Sequence, residues 1–374
     1  LLQCGRRQET GGTGKKGSMS LCGVTVAVAV AAILVLSLPV WATFRCPAPG
    51  VPDFNCPVLT APPPASDVRH LHPGNVGALM ALGDSITAGF GMLGVEPLEF
   101  RGDVYSTGGN RGAKTLLQYV HHYNQEVTGG CTGTTIPLTK KGKGLNFAVS
   151  GAKVQDVSDQ INRLVAMMAT KEYAHIHEEW KLLTYFIGAN NICGSCNPGR
   201  TSDSPQYFEE KLRETLLQIR TQIPKVFVNL VPIFNISQVW DAGQGNLYCQ
   251  NALPLLQECG CLNANATQRQ LMDEATQLFN QATFKVAGEM QALNDPQFTA
   301  VAQPGLMDLF FADSPDAEAF LSDVDCFHPS LCADQAFSVA LWNNMFQPQG
   351  HKSTSVDLLD PPHQFCPSPS DFLQ

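Results

Sequence analysis

Short apolar runs and helix-period stretches alternate along most of this chain. The runs Ala78–Leu82, Leu145–Ala148, Leu182–Ile187, Val226–Val231 and Thr299–Ala302 are continuous rather than alternating, the pattern of strands buried on both faces. Between them, apolar residues recur at three- and four-residue spacing. Val157, Ile161, Leu164, Val165 and Met168 share one face of a helix, and Phe208, Leu212, Leu216, Ile219 and Ile223 share a face of a second. Leu271, Ala275, Leu278 and Ala282 mark a third. Pro329 to Phe346 reads as a closing helix with Pro329 near its first turn. Strands alternating with helices predict an α/β fold, a central parallel sheet flanked by helices. The Cys249–Cys261 region follows neither period and reads as a disulfide-braced insertion.

The two ends depart from this pattern. Leu21 to Ala42 is almost wholly apolar and follows Arg6, Arg7, Lys15 and Lys16. Val40-Trp41-Ala42 offers small residues at the positions a signal peptidase prefers, so residues 1–42 read as a leader, a signal peptide with extra residues upstream of Met19. An uncleaved signal anchor is the alternative, because the run is nearly long enough to span a bilayer. A start at Leu1 rather than Met suits a fragment or an extended translation. Residues 43–66 are proline-rich and read as an extended linker, 67–346 as one domain, and 347–374 as a second proline-rich tail. Phe44-Arg-Cys-Pro47, Phe54-Asn-Cys-Pro57 and Phe365-Cys-Pro367 echo one another across the two ends.

A net charge of −9 without a basic stripe excludes a nucleic-acid partner, and Lys140, Lys141 and Lys143 read as a solvated loop. Of 13 cysteines, Cys4 and Cys22 fall in the leader; the remaining odd number leaves at least one thiol unpaired or intermolecular. Cys193-Gly-Ser-Cys196 has no second Cys-x-x-Cys to complete a zinc set and reads as a local disulfide in an oxidising compartment. Asn235-Ile-Ser237 and Asn265-Ala-Thr267 are glycosylation acceptors. These features predict a secreted or lumenal chain. His175 and His177 have metal-like spacing without a supporting carboxylate set, and His121-His122 reads as packing, so no metal and no cofactor is assigned.

The chemistry begins at Gly83-Asp84-Ser85, a turn that ends the first buried run. A serine held out of the sheet there is a candidate nucleophile, provided a histidine takes its proton. Asp325-Cys-Phe-His328 supplies a histidine and a carboxylate three residues apart. Two further blocks follow strand ends: Asn146-Phe-Ala-Val-Ser-Gly151 and Ile187-Gly-Ala-Asn190-Asn191. In order and content the four blocks resemble those of the GDSL (SGNH) hydrolases. Arg101-Gly-Asp-Val-Tyr-Ser-Thr-Gly-Gly109, Phe186–Cys193 and Ala340-Leu-Trp-Asn-Asn-Met345 extend the likeness to the phospholipase B branch, over roughly residues 54–369.

The resemblance implies a three-layer flavodoxin-like sandwich and a calcium-independent lipolytic esterase acting on phospholipids and lysophospholipids. It implies a monomer that works at a membrane or micelle surface. It places Ser85 as nucleophile, His328 as base and Asp325 as its orienting partner. The N–H groups of Ser85 and Gly151 and the amide of Asn190 form the oxyanion hole, with Asp84 and Asn191 as supporting groups. No Asp-rich calcium loop is present in the sequence. Position 86 is Ile where the family name carries Leu. Position 191 is Asn where the branch usually has Asp, which keeps open a catalytically weak or silent lipid- or glycan-binding module. A non-phospholipid carboxylesterase is the nearer alternative.

Overall fold

Val76–Gly83 is buried at every position and forms β1; Trp180–Phe186, equally buried, forms β2. Val226–Leu230 and Phe298–Ala302 form β3 and β4. All three pairings are parallel, in the order β1-β2-β3-β4. These strands come from a computed structural model that describes residues 46–59, 62–94, 96–137, 143–197, 199–311 and 317–374. The leader, Lys140 and Lys141 lie outside the described residues.

The expected strand at Leu145–Ala148 is not continuous. Thr128 and the 145–149 segment share the free edge of β1: Leu79 N–H donates to Thr128, Ala81 N–H to Leu145, and Phe147 N–H back to Ala81. Val149 N–H continues to Gly83 O, while the alternate Ala148 N–H, which points away from β1, is taken by the side chain of Asn146 at 3.1 Å. Counted as an edge, the segment gives the order 2-1-3-4-5 of flavodoxin-like sheets, with the switch point between β1 and β2.

The helices are α1 (Ser85–Ala88), α2 (Leu116–Tyr123), α3 (Val157–Met168), α4 (Ala189–Ser195) and α5 (Pro205–Gln222). After β3 come α6 (Gln238–Gly243), α7 (Leu247–Leu256), α8 (Gly260–Ala264) and α9 (Ala266–Ala292), with α10 (Leu331–Asn344) after β4. Two polar contacts mark the layers. On one face Tyr185 Oη of β2 meets Thr215 Oγ1 of α5, 2.8 Å. On the other, Asn229 of β3 reaches Met345 beyond α10, 3.1 Å. Parallel neighbours point the same way and successive residues alternate, so the sheet is covered on both faces as a three-layer sandwich.

Three expectations change. In α9 the buried stripe is Met272, Phe279, Val286 and Met290, while Leu271 and Leu278 are exposed. Two apolar stripes run along that helix, and packing on α5 and β4 selects the one shifted by a residue. Cys193 and Cys196 do not bond to each other: they pair with Cys259 and Cys261, while Cys249 pairs with Cys326. Both cysteines sit on or just after one short helix, α4, facing the insertion across 65 and 66 residues of sequence. The proline-rich ends are also packed rather than extended away. Arg45–Gln374 is one compact unit, with Cys46–Cys332 and Cys56–Cys366 closing it. Phe54 stacks on Tyr119 at 4.8 Å, and Leu373, near the end, is buried with its N–H on Leu71. Cys131 is the one free cysteine among the described residues, and it is buried.

Candidate active site

Gly83 ends β1 where a Cβ would lie 2.4 Å from the carbonyl oxygen of Phe186, so only glycine lets β1 and β2 close at this point. Gln160 of α3 fixes the two peptide groups that flank the Gly83 Cα, accepting from Gly83 N–H at 3.0 Å and donating to Gly83 O at 2.8 Å. Asp84 caps α1, its carboxylate accepting from Ile86 N–H at 3.0 Å. Burial pushes the Asp84 carboxyl up to about 6, against the pull of the Ile86 N–H and the His328 charge. Ser85 is then the first residue of α1, at the sheet's carboxyl end.

His328 Nε2 lies 2.7 Å from Ser85 Oγ, and its Nδ1 lies 2.6 Å from Asp325 Oδ2. The other Asp325 oxygen accepts the backbone N–H groups of Phe327 and His328, at 2.9 and 3.0 Å. Cys326 between them has φ +56°, a left-handed turn uncommon for a residue with a Cβ. That turn folds Asp325 and His328 onto one side, and the Cys249–Cys326 bond ties it to α7. Phe90 and Phe327 pack edge-on against the imidazole at 4.8 and 5.1 Å.

The electrostatics follow from this burial. Desolvation opposes the charged imidazole, but the charge and hydrogen bond of Asp325, with Glu258 and Asp84 beyond, hold His328 above its ordinary value. Desolvation likewise opposes the Asp325 charge, and the His328 charge with three hydrogen bonds holds it below the usual carboxylate range. The pair favours imidazolium facing carboxylate, the charge state a base acquires on taking the serine proton.

Asn190, in α4 beyond β2, shares a cavity of about 20 Å³ with Ser85 and His328. Its other walls are apolar: Ile86, Phe234, Ile236 and Phe327. One Asn190 N–H donates to Ala152 O at 3.0 Å, which links the cavity to the loop carrying Gly151. Gly151 has φ +81° in open space, so it serves its backbone conformation rather than a tight contact, and it does not line that cavity. Asn191 is fully buried and does not line the cavity beside Ser85. Its oxygen accepts Val154 N–H at 3.0 Å, and its amide donates to Ser202 O at 3.0 Å and approaches Asp203 at 3.4 Å. Lys153 binds the same Asp203 at 2.6 Å.

A second buried network supports the 146–152 loop. Arg101 pairs with Glu99 at 2.8 Å, both fully buried, and donates to Asn146 O and Oδ1 and to Ala148 O. Glu99 accepts in turn from Ser150 Oγ at 2.7 Å. Sequence reasoning gave Arg101, Glu99 and Gln160 no role. The one visible signal was Gln160, a polar residue set within the apolar stripe of α3.

Asn235 and Asn265 are both exposed. Asn265 caps α9 through its oxygen, which leaves its amide nitrogen outside the cap. Asn235 borders a separate cleft of about 670 Å³ between α6, α9 and residues 307–310, which holds none of the residues around Ser85. No group of three or more His, Cys, Asp or Glu placed to hold a metal ion occurs among the described residues. No helix among them is long and apolar enough to cross a membrane.

The chain is similar to known proteins. The membrane-associated phospholipase B1 of Homo sapiens is 31% identical over 348 residues, covering 87% of this chain and 23% of that protein. The Rattus norvegicus protein of the same name is 29% identical over 308 residues, covering 76% and 21%. The chain thus spans less than a quarter of the length of these relatives. Among solved structures, an alpha/beta hydrolase enzyme from the metagenome of Lake Arreo aligns with 75% of this chain and 95% of its own, at 16% identity and a TM-score of 0.39. An acetylxylan esterase from Geobacillus stearothermophilus aligns with 75% and 94%, at 16% identity and 0.35. Residues 79–339, from the middle of β1 to within α10, match the family model of the GDSL-like lipase/acylhydrolases. With Ser85, Gly151, Asn190 and His328 all inside that span, the chain belongs to the GDSL-like lipase/acylhydrolase family.

Proposed function

We propose that this chain is a serine hydrolase of acyl esters in phospholipids and lysophospholipids, with Ser85 as nucleophile. The observation that carries the reading is the unbroken hydrogen-bonded chain from Ser85 Oγ through His328 to Asp325. Ser85 Oγ attacks the ester carbonyl as His328 Nε2 takes its proton, and Asp325 steadies the imidazolium. In this reading the N–H groups of Ser85 and Gly151 and the second N–H of the Asn190 amide supply the donors for the developing oxyanion. His328 returns the proton to the leaving alcohol, which departs as the acyl-serine forms. Water then attacks that ester, giving up its proton through His328 to Ser85 and releasing the fatty acid. In this reading no step uses a calcium ion or another cofactor. The phospholipid class rests on the two phospholipase B1 relatives.

The five disulfides among the described residues and the exposed acceptors Asn235 and Asn265 support a secreted or lumenal glycoprotein. A second reading, an esterase for short acyl groups, is favoured by the cavity beside Ser85, which at about 20 Å³ holds no long chain. Fatty-acid release from phosphatidylcholine and lysophosphatidylcholine, beside acetyl and butyryl esters, separates the two. The lipolytic reading expects release from both lipids and its loss in Ser85→Ala. Hydrolysis of the short esters alone supports the second reading, and unchanged release in Ser85→Ala overturns both.

A further inference from the structure

The helix α7 is ten residues long and carries no charge. Its inward face buries Cys249, Ala252 and Leu253. Its outward face presents Leu247, Tyr248 and Leu255 at 76%, 54% and 80% exposure, with Pro254 between them. Helical spacing groups these four on one side. Single exposed leucines are ordinary, but a side without a charge that turns its apolar residues to solvent is a docking feature.

This face is fixed to the elements that hold the candidate site. Cys249 bonds Cys326, two residues before His328, and Tyr248 Oη donates to Val324 O at 2.8 Å. The turn after α7 is held by Cys193–Cys259 and Cys196–Cys261 to α4, the helix of Asn190. The outward leucines therefore sit at a set position relative to Ser85, rather than on a free lid.

The surrounding charge selects the kind of surface. No Lys or Arg occurs between Lys225 and Arg269, the stretch that carries α7, nor between Lys285 and Lys352, the stretch whose Glu318, Val324 and Cys326 meet α7 and its cap. Acidic groups border it: Glu258 follows α7, Glu318 accepts from Asn246 at the start of α7, and Asp323 adjoins Val324. An anionic membrane would be repelled at such a rim, whereas a zwitterionic surface offers an apolar interior without net charge.

We propose that the outward face of α7 seats the enzyme on zwitterionic phospholipid surfaces by inserting Leu247, Tyr248 and Leu255, which brings the ester to Ser85. The proposal rests on the lipolytic reading above and adds where, and on which lipids, the chain docks. Each leucine that enters the lipid is worth about tenfold or more in partitioning.

Flotation of the full chain carrying Ser85→Ala with phosphatidylcholine vesicles, and with vesicles rich in phosphatidylglycerol, tests it. Binding is expected to phosphatidylcholine and to be weaker on phosphatidylglycerol at low salt. Adding Leu247→Ser and Leu255→Ser is expected to cut binding at least tenfold. The same double change in the active protein should lower release from vesicles but leave hydrolysis of soluble p-nitrophenyl butyrate unchanged. A separate Leu255→Trp variant should shift its emission to the blue on phosphatidylcholine vesicles. Equal flotation of the double variant, or no emission shift, overturns the proposal. So does a concentration-dependent dimer, lost in the double variant, without vesicle binding. Hydrolysis of the soluble ester without vesicle binding removes the docking face alone. Leucine-dependent flotation without any hydrolysis removes the catalytic reading and leaves the docking face standing.

Discussion

His328 touches both Ser85 and Asp325 directly, whereas Asn190 and Asn191 are held in place by residues of the 152–154 loop and the 202–203 turn. On the first side, two short hydrogen bonds and a three-residue turn connect everything. On the second, Asn190 reaches Ala152, Asn191 fixes Val154, and the Arg101–Glu99 pair holds the loop from beneath. The difference teaches that the Asp325–His328 pair can be found from local spacing, whereas its meeting with Ser85, 243 residues away, and the placement of Gly151 and Asn190 are properties of the packed fold. The same packing ties Asn191 to Val154, Ser202 and Asp203 rather than to Ser85 or His328. Its buried amide faces Asp203 and Ser202, so an aspartate there would set two carboxylates together in a dry site.

Breaking the first side has the largest expected effect. Asp325→Asn should lower turnover by roughly 10⁴-fold by analogy with other serine triads. Asp325 is what raises His328 against the opposing effect of burial, and the imidazole must be neutral to accept the proton. Activity is therefore lost as pH falls through the raised His328 value. The acid limb of kcat/KM should move to lower pH in the variant; an unmoved limb would detach Asp325 from His328.

The remaining tests act on the second side. Arg101→Met strands the buried Glu99 charge and should cost about 3–5 kcal/mol in a chemical melt. Glu99→Gln in the same chain should recover part of that loss, and additive losses would deny the pairing. Asn190→Ala should lower kcat by about 10²–10³ with the fold retained; a change confined to KM would place Asn190 outside the oxyanion hole. Asn191→Asp should cost about 2 kcal/mol of stability without raising turnover. A large gain in turnover there would return position 191 to the reaction.

Much of this arrangement is legible in sequence, and the exceptions share a cause. The buried runs at 78–82, 182–187, 226–231 and 299–302 mark strands because both faces of a parallel sheet are covered. The run at 145–148 does lie along β1, through bonds from Ala81, Phe147 and Val149, but it pairs on one side only and its outward Ala148 N–H is satisfied by the Asn146 side chain, which hydropathy does not register. Leu271 and Leu278 are as apolar as Met272 and Phe279, so only the packing partner of α9 decides which stripe is buried. The partners of Cys193 and Cys196 lie more than 60 residues away, and spacing carries no information on connectivity. The spacing of Asp325 and His328 showed their partnership, whereas Arg101 and Glu99 are two residues apart in a stretch without a periodic signal.

The proposed chemistry depends on His328 activating Ser85. Reaction of the folded chain with a fluorophosphonate, mapped by peptide mass, tests it most directly. A single adduct on Ser85 is expected, forming more slowly as His328 is protonated at low pH and nearly abolished in His328→Ala. A folded protein that stays unlabelled, or one labelled at Ser85 equally well in His328→Ala, would contradict it.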